Sequence, residues 1–377
     1  MIKSITVNNY KAFAFNSEWN KLELRPITVL VGKNNSGKSS LLKLISILSS
    51  MSQGVSSDPI LLKNDSVILG GRYQDLFHNN ETSSMTIDIE YGDGRIFNIL
   101  YLMDKGDIYV KPSVSYPDNN DKEACFSQTN PFKTYIEHSD TTNTGKSNPY
   151  IFTTDYIGPL RRRIERNIQL DGTDADSISV DGDNVCQVLL ESFNSDKKLF
   201  RAVAEWLEQN LDCPGLSFER NSESSGSYSL AVRHGKATVN VADIGQGISQ
   251  VLPFIVSTFM EHHADVTIVE QPVLHLHPAA HQSVAVRAAM SAKEMNRTFL
   301  FETHSYNFIL ALRDMVADPD NQLTPEDVIF YSVEQDEDES WLKAITVDKA
   351  GELSDWPEGV FNESYELLKS IHSHSSK

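Results

Sequence analysis

Short runs of apolar residues alternate with polar turns along the chain, which is the pattern of an α/β fold. Residues 27–31 are β-branched and apolar, as expected for a buried strand. Residues 39–48 then place apolar side chains at helical spacing. Two more short apolar runs, at residues 266–269 and 298–301, predict further buried strands.

Two segments show the pattern of β-hairpins. Residues 85–91 and 96–101 alternate between apolar and polar positions around a Gly92-Asp93-Gly94 turn. Residues 328–333 and 341–345 are apolar and flank an acidic stretch, residues 336–339. We interpret that stretch as the polar tip of a second hairpin, and a metal site there as the weaker alternative.

The predicted organisation is one core that is interrupted by an insertion. Residues 184–211 show helical spacing, and residues 115–149 are rich in Asn, Asp, Thr and Pro, which predicts a mobile surface segment. We therefore predict an N-terminal core part at residues 1–110 and an inserted lobe with a mobile loop and a helical arm at residues 111–235. The C-terminal core part, at residues 236–377, would end in a hairpin and a helix.

The first predicted strand and helix enclose a complete phosphate-loop motif. Residues 32–39 match G-x-x-x-x-G-K-[ST], in which backbone N–H groups and a helix N-terminus surround phosphates. Lys38 is expected to reach the β- and γ-phosphates, and Ser39 to bind Mg²⁺. The sequence therefore predicts ATP and Mg²⁺ as cofactors. The predicted nucleotide-binding residues of this loop are Gly32, Asn34, Asn35, Ser36, Gly37, Lys38, Ser39 and Ser40.

Two polar residues follow the later predicted strands. Glu270 ends the first of them, where a phosphate-loop protein carries a carboxylate that serves Mg²⁺. His304 follows the second, and a histidine there can hydrogen-bond the γ-phosphate and report its presence. A purely structural histidine is the alternative.

A second glycine-containing element precedes an apolar helix. Gly245, Gly247 and Ser249 would form another anion site at a helix N-terminus, and a plain turn with an N-cap is the alternative. One chain does not need two anion sites to bind one triphosphate. The second site is explained if two chains associate and each contacts the nucleotide of the other through this element. This predicts a homodimer or a higher homo-oligomer.

Charge and composition limit the partners. The net charge of −19 argues against a protein coated for nonspecific DNA binding, although a local basic groove stays open. The one dense basic cluster consists of Arg161, Arg162, Arg163 and Arg166. We interpret it either as a solvated face or as a contact for nucleic acid or an acidic partner.

Three cysteines that lie far apart in the sequence indicate a reducing compartment. We found no signal-peptide pattern, and the longest apolar stretch is about half of a membrane span, so we predict a cytoplasmic protein without a membrane partner.

The order of these motifs resembles that of the ABC-type ATPase heads of the structural-maintenance-of-chromosomes (SMC) class. Within that class it is similar to bacterial AAA-type ATPases related to RecF and to overcoming-lysogenisation-defect proteins. The specific likeness lies in Glu270-Gln271-Pro272, His275-Leu276-His277-Pro278 and Glu302-Thr303-His304-Ser305. Further matches lie at residues 69–76, 156–161 and 351–359.

The resemblance implies an α/β fold, namely an ABC/SMC-type P-loop ATPase head with a mixed β-sheet and an inserted lobe. It implies that Gln74 is the Q-loop glutamine near the metal, and that Arg161 supports the ATP site. It also implies that the stretch from Gly245 to Gln250 is the signature element, which contacts the nucleotide of a second protomer.

One departure from the family pattern concerns the hydrolysis step. The usual Asp-Glu pair at the end of the acidic strand is Glu270-Gln271 here, and Val273 stands where relatives often carry another glutamate. Glu270 can still serve Mg²⁺, whereas Gln271 can orient water but cannot take its proton. We therefore expect slow hydrolysis, or a base from elsewhere, such as His304. If water activation limits the rate, Gln271→Glu should accelerate turnover.

By resemblance, stand-alone heads of this kind serve prokaryotic antiviral defence beside a separately encoded nuclease or toxin. The predicted function is a slowly hydrolysing ATPase that dimerises around ATP and acts as the sensor or regulatory subunit of a bacterial antiphage system. A RecF-like repair ATPase that binds DNA directly is the first alternative. An assembly scaffold that binds ATP with negligible hydrolysis is the second.

Overall fold

The structure is a computed structural model, and it describes residues 1–16, 19–118, 120–139, 149–169, 176–221, 226–261 and 263–355. The chain divides into two compact units. The first unit comprises Met1–Thr154 and the described residues from Pro325 onward, and the second unit comprises Asp155–Thr324. The predicted terminal helix and residues 356–359 of the last family-like stretch lie outside the described residues.

Strands and helices are numbered in chain order. The strands are β1 (Ile2–Asn8), β2 (Lys21–Glu23), β3 (Ile27–Gly32), β4 (Lys63–Asn64), β5 (Val67–Ile68), β6 (Ser84–Tyr91), β7 (Ile96–Asp104), β8 (Asp107–Ser115), β9 (Lys122–Glu123), β10 (Thr154–Ile157), β11 (Ile168–Gln169), β12 (Ser217–Arg220), β13 (Ser227–His234), β14 (Ala237–Asn240), β15 (Val266–Glu270), β16 (Thr298–Glu302), β17 (Val328–Gln335) and β18 (Ser340–Thr346). The helices are α1 (Lys38–Ser52), α2 (Pro131–Ser139), α3 (Val185–Asn194), α4 (Lys198–Leu211), α5 (Gln246–Phe259), α6 (Pro278–Glu294) and α7 (Tyr306–Ala317). Short 3-10 helices lie at Tyr73–Leu76, His78–Asn80, Val241–Asp243 and Pro325–Asp327.

The phosphate-loop strand of the first unit lies in a mixed sheet. β3 runs parallel to β17, with Ile27 beside Val328 and Gly32 beside Val333. β17 is antiparallel to β18 and forms the second predicted hairpin with it. All six residues of β3 are buried, as expected for an apolar strand that is covered on both faces. The prediction of an α/β fold with a mixed sheet is therefore confirmed.

A second sheet of the first unit has the strand order β2-β1-β6-β7-β8-β9. β6 and β7 form the first predicted hairpin, and buried positions alternate with half-buried ones along β6. This alternation arises because successive side chains of a strand point to opposite faces of the sheet. The hairpin prediction is confirmed.

Helix α2 contradicts part of the sequence interpretation. It lies within residues 115–149, which we expected to be a mobile surface segment. Phe132 and Tyr135 on this helix are buried and pack against the rings of Phe97 and Tyr150. Although the segment is mostly polar, these two aromatic residues are three positions apart and lie on one face of a helix. Their burial stabilises the helix despite the polar composition. The prediction was wrong for this helix, and residues 140–148 lie outside the described residues.

In the second unit, β10, β15 and β16 are neighbours in that order, and β15 runs parallel to β16. All five residues of each of these last two strands are buried, which confirms both strand predictions. The rings of Phe254 on α5, Phe301 on β16 and Phe308 on α7 pack against one another across the helix–sheet interface. The unit therefore has its own apolar core around the parallel strands.

The remainder of the second unit contains α3 and α4, which confirm the helical pattern at residues 184–211. It also contains a small sheet with the order β11-β13-β12, and β14 pairs with β13. In the part of the chain that the structure describes, no helix has the length and apolar character needed to cross a membrane.

Candidate functional site

The phosphate loop joins β3 to α1 in the first unit. Its backbone is left-handed at Asn35, with φ 65°, and at Gly37, with φ 96°, where α1 begins. A Cβ atom on Gly37 would lie 2.9 Å from the ring of Phe13, so glycine is required there for space as well as for conformation. Such a turn in front of a helix directs successive N–H groups to one side, which is the geometry that binds phosphate.

The charged side chain of the loop is held inside it. Lys38 is only 5% exposed, and its Nζ donates hydrogen bonds to the carbonyl oxygens of Gly32 at 2.9 Å and Lys33 at 2.6 Å. The Ser36 hydroxyl is buried and has no hydrogen-bond partner among the described residues. A buried polar atom without a partner usually marks a group that meets a ligand or water. The loop therefore fits a ligand rich in phosphate oxygens.

The other predicted residues of the loop are more accessible. Asn34 and Asn35 are exposed, and Ser39 and Ser40 are half-buried on the first turn of α1. The Ser39 hydroxyl is a hard oxygen ligand of the kind that Mg²⁺ prefers. The structure thus brings all eight predicted residues together in one strand–loop–helix element.

Two acidic residues end the parallel strands of the second unit. Glu270 on β15 and Glu302 on β16 are partners in the strand register, and they are 3% and 4% exposed. The Tyr156 hydroxyl donates a hydrogen bond to Oε1 of Glu270. Burial, and next the Glu270 charge, raise the pKa of Tyr156, so its hydroxyl keeps its proton and remains a donor.

The predicted catalytic residues meet around Glu302. Gln271 Nε2 donates to Glu302 Oε2 at 3.1 Å, and the Gln271 backbone N–H donates to the Glu302 carbonyl oxygen at 2.8 Å. His304 Nε2 lies 3.5 Å from Glu302 Oε1, and its side chain is 43% exposed. Glu270, Gln271 and His304 therefore lie at one edge, formed by the carboxyl ends of parallel strands, where α/β proteins commonly bind ligands.

A family model described as "AAA domain, putative AbiEii toxin, Type IV TA system" matches residues 27–311. The chain belongs to this AAA family. The match spans well over half of the chain and includes both the phosphate loop and the acidic edge. Membership supports the prediction that the protein is a P-loop ATPase. A second model, "Protein of unknown function (DUF3696)", matches residues 323–371 of this AAA protein.

The solved structures similar to the AAA protein include three SMC heads. They include an SMC head bound to the C-terminal winged-helix domain of ScpA, with 15% identity, a TM-score of 0.49, and coverage of 93% of this chain and 98% of the other. The Thermotoga maritima SMC head domain has 10% identity, a TM-score of 0.43, and coverage of 91% and 98%. The Pyrococcus furiosus SMC head with an extended coiled coil, bound to the C-terminal domain of ScpA, has 11% identity, a TM-score of 0.45, and coverage of 98% and 99%. A search of curated proteins found no match to the sequence.

The predicted signature element of the AAA protein starts α5. Gly245 is the N-cap and is exposed, with open space around the position of a Cβ atom. A Cβ atom on Gly247 would lie 3.0 Å from the carbonyl oxygen of His275, so this glycine allows close backbone approach. Ser249 is 4% exposed. The outward face of the element is thus formed by Gly245 and Gln246, and the role of Ser249 stays a prediction.

Two histidines that follow β15 make contacts at the starts of helices. His277 is the N-cap of α6, and its Nδ1 accepts a hydrogen bond from the Ala279 N–H at 3.2 Å. His281 Nδ1 lies 2.7 Å from the hydroxyl oxygen of Ser305, the N-cap of α7. These contacts fix the start of two helices near the acidic edge.

Arg161 connects the signature helix to the acidic strand. Its guanidinium donates to the carbonyl oxygens of Gln250 at 2.7 Å, Glu270 at 2.6 Å and Gln271 at 3.3 Å. Gln250 Nε2 donates back to the Arg161 carbonyl oxygen at 2.7 Å. Burial lowers the pKa of Arg161 to about 10, so it remains charged at neutral pH. Its support of the ATP site stays a prediction.

The neighbouring arginines differ from Arg161 because they are exposed and paired with acids. Arg162 Nε lies 2.6 Å from Asp181, and Arg166 lies 2.5 Å from Asp243. Their charge is therefore partly balanced by carboxylates of the same unit.

The predicted Q-loop glutamine lies in the first unit. Gln74 is part of a 3-10 helix, and its Nε2 donates a hydrogen bond to the Asn80 carbonyl oxygen at 2.6 Å. Its role near Mg²⁺ stays a prediction.

Sequence reasoning missed two residues of the acidic edge. Glu302 lies in one of the family-like motifs, but the sequence assigns it no role. Tyr156 is identified only as a position within a stretch that resembles the family. The available signal for Glu302 was its place at the end of a predicted buried strand, the same place that singled out Glu270. An acid that ends an apolar strand in an α/β protein is a candidate for the ligand edge.

Proposed function

We propose that the protein binds MgATP at the phosphate loop, hydrolyses it slowly, and dimerises around it. The buried Lys38 ammonium, held by two loop carbonyl oxygens at a helix N-terminus, carries this proposal. A lysine in this place of a phosphate loop reaches the β- and γ-phosphates of a bound triphosphate. The AAA family membership supports the same reading.

Mg²⁺ fits the available donors in this proposal. The family resemblance predicts Ser39, Gln74 and Glu270 as its ligands, and each side chain offers the hard oxygen atom that Mg²⁺ prefers. When bound, the ion neutralises charge on the β- and γ-phosphates. His304, half exposed at the acidic edge, is proposed to respond to the presence of the γ-phosphate.

The proposed dimer places the signature element of one chain against the nucleotide of the other. Gly245 and Gln246 are exposed at the N-terminus of α5, where backbone N–H groups lack helical partners and attract anions. Because the γ-phosphate would be bound from both sides, ATP would favour the closed dimer and its hydrolysis would favour separation.

We further propose a cytoplasmic role in antiphage defence, beside a separately encoded nuclease or toxin. The family description, which names a toxin and a type IV toxin–antitoxin system, supports this context. Direct DNA binding by a RecF-like ATPase is the less favoured role because the net charge is −19 and two exposed arginines already pair with acids.

Gln271 favours a second candidate function, an ATP-dependent scaffold with negligible hydrolysis, because an amide cannot take a proton from water.

The proposed functions are tested by measuring ATP affinity and phosphate release on the purified chain, and by purifying the chain together with the products of the flanking genes. Binding with slow release and recovery of a nuclease or toxin would support the proposal. Tight binding without release would favour the scaffold, and salt-sensitive DNA binding would favour repair.

A further inference from the structure

We propose that a cavity of the second unit is a binding site for a small amphiphilic anion, which is a molecule with an apolar body and one anionic group. The cavity has a volume of about 640 Å³. Small-molecule sites in proteins typically have volumes of about 300–1,000 Å³, with mostly apolar walls and a few polar groups. The lining residues all lie between Asn210 and Ala280, so the cavity belongs to the second unit alone.

The wall of this cavity combines four elements. The ends of α4 and β13 and the starts of α5 and α6 contribute to it, together with the segment between β15 and α6. Its apolar part consists mainly of Leu211, Cys213, Val232, Ile244, Ile248 and Leu276. Burial raises the pKa of the Cys213 thiol to about 11, so the thiol is neutral at pH 7 and belongs to the apolar part.

The apolar part of the wall is incompletely covered. Leu211, Ile244, Ile248 and Leu276 are only half-buried, although they lie next to one another around the cavity. An apolar ligand body would remove this surface from water, which is favourable in proportion to the area that it covers. The cavity therefore fits the apolar part of an amphiphile.

Arg233 supplies the positive charge of the wall. It is exposed near the end of β13, and no described residue accepts a hydrogen bond from its guanidinium or forms an ion pair with it. Its side chain lies along the backbone at Gly215, where a Cβ atom would be 3.7 Å from the Arg233 Nε and Cζ atoms. Arg162 and Arg166 of the same unit pair with acids, whereas Arg233 is available for charge-assisted hydrogen bonds to a ligand.

The start of α5 and a histidine add N–H donors to the same wall. The N-cap Gly245 makes no side-chain cap hydrogen bond, and the first N–H groups of a helix have no partner within it. His277 Nδ1 accepts from the Ala279 N–H at 3.2 Å, so the proton of the neutral ring is on Nε2, which is a further donor. Together with Arg233, these groups favour an anionic ligand over a neutral one.

Asp212 opposes an anion in this cavity. It is exposed at the C-cap of α4 and is one of the lining residues. Within the described chain it forms no ion pair with Arg233, so it does not neutralise the guanidinium by direct contact. The anionic group of a ligand should therefore bind on the side of Arg233 and α5, and Asp212 should weaken its binding by repulsion.

The position of the cavity connects it to the proposed dimer. Gly245 and Gly247 line the cavity and also belong to the signature element. A ligand bound there would cover the face that a second chain is proposed to contact, and would oppose ATP-dependent dimerisation. This consequence rests on the proposed function, whereas binding to the cavity does not.

The probe for the test is anilinonaphthalene sulfonate, which carries aromatic rings and one sulfonate group and fluoresces more strongly in apolar surroundings. It is titrated onto the purified chain without nucleotide at low ionic strength. Arg233→Gln should raise the dissociation constant by at least about fivefold, because charge-assisted hydrogen bonds are lost, and Arg233→Lys should give a smaller increase. Arg201→Gln, at an exposed arginine of α4 outside the cavity, is the matched control and should bind as wild type does.

Two further variants change the cavity itself. Ala279→Trp adds an aromatic ring at an exposed lining position and should raise the dissociation constant by at least about tenfold, because the ring takes up the apolar volume. Ala317→Trp, at the exposed alanine that ends α7, is its control and should have no effect. Asp212→Asn should lower the constant by about twofold, because the repelling charge is removed. Asparagine also adopts the left-handed conformation of this residue, whose φ is 48°.

The outcomes separate the cavity from the proposed dimer. A wild-type chain that does not bind the probe, or Arg233→Gln and Ala279→Trp variants that bind it as wild type does, would overturn the site. So would a nucleotide-free dimer that binds the probe only on dilution, since a second copy would then cover the cavity. Binding with the expected losses supports the site even if ATP causes no dimerisation, a result that would overturn the dimer alone. ATP-dependent dimers that form equally well with the cavity saturated would contradict the link between the two.

Discussion

Lys38 carries a positive charge into a nearly buried position, where two carbonyl oxygens of its own loop receive it. A lysine at this point of a phosphate loop can also donate charge-assisted hydrogen bonds to the β- and γ-phosphates of a bound triphosphate. Nucleotide binding should therefore depend strongly on Lys38.

Replacing this side chain tests the phosphate loop directly. Lys38→Ala should weaken ATP binding by roughly 10- to 100-fold or abolish it, because charge-assisted hydrogen bonds to phosphate are lost. Calorimetric titration with ATP measures the effect. Lys43→Ala, a half-buried lysine later on α1, serves as the control and should bind as wild type does. An affinity unchanged by Lys38→Ala would refute the loop assignment.

Among the elements, α5, β10 and β15 are connected through Arg161, which follows β10 in the chain. Its guanidinium bonds to carbonyl oxygens of α5 and of the end of β15, and it is buried. Within one chain, this links the helix that starts at the signature element to the acidic edge. The link is built of charge-assisted hydrogen bonds in a dry environment, where they are strong and costly to lose.

Removing the arginine should therefore destabilise the second unit. Arg161→Leu leaves three carbonyl oxygens, two of them in buried contacts, without this donor, and we expect a loss of about 3 kcal/mol in the free energy of unfolding. Urea denaturation followed by fluorescence measures it. Arg163→Ala, an exposed arginine two positions later, should change the free energy by less than about 0.5 kcal/mol. Equal stability of both variants would show that the link through Arg161 is energetically unimportant.

The elements that the sequence predicts correctly are those that local pattern determines. The strand–loop–helix around the phosphate loop and both hairpins follow from neighbouring residues, so periodicity and glycine placement suffice to find them. The contact of Gln271 with Glu302 spans 31 positions, and that of Arg161 with Glu270 spans 109. Such contacts depend on which strands pair, and a single sequence does not specify that pairing. The sequence analysis did not predict helix α2, because the segment is mostly polar and only two buried aromatic residues stabilise the helix.

At the scale of the whole molecule, the proposed function requires a second copy of the chain. One chain offers a phosphate loop and a separate exposed helix N-terminus at Gly245, and each of them is a proposed anion-binding element. The net charge of −19 opposes close approach of two copies at low salt. ATP is therefore proposed to supply the contact that brings them together.

A charge placed at the exposed N-terminus of α5 should block that contact. Gly245→Glu should fold, because nothing lies within 4 Å of the added Cβ, and should bind ATP as a monomer. Its carboxylate would repel the γ-phosphate of the partner, so ATP should no longer increase the mass. Gly92→Glu, at another exposed glycine, is the matched control and should still dimerise. ATP-dependent dimers of Gly245→Glu would remove the signature role.

The most direct test of the account is the mass of the wild-type chain in solution, measured by light scattering with Mg²⁺ and with or without saturating ATP. Without nucleotide, we expect the 42.3 kDa of one chain. With ATP, we expect twice that mass, falling back as the nucleotide is hydrolysed. A chain that binds ATP and keeps the mass of one copy would contradict the account.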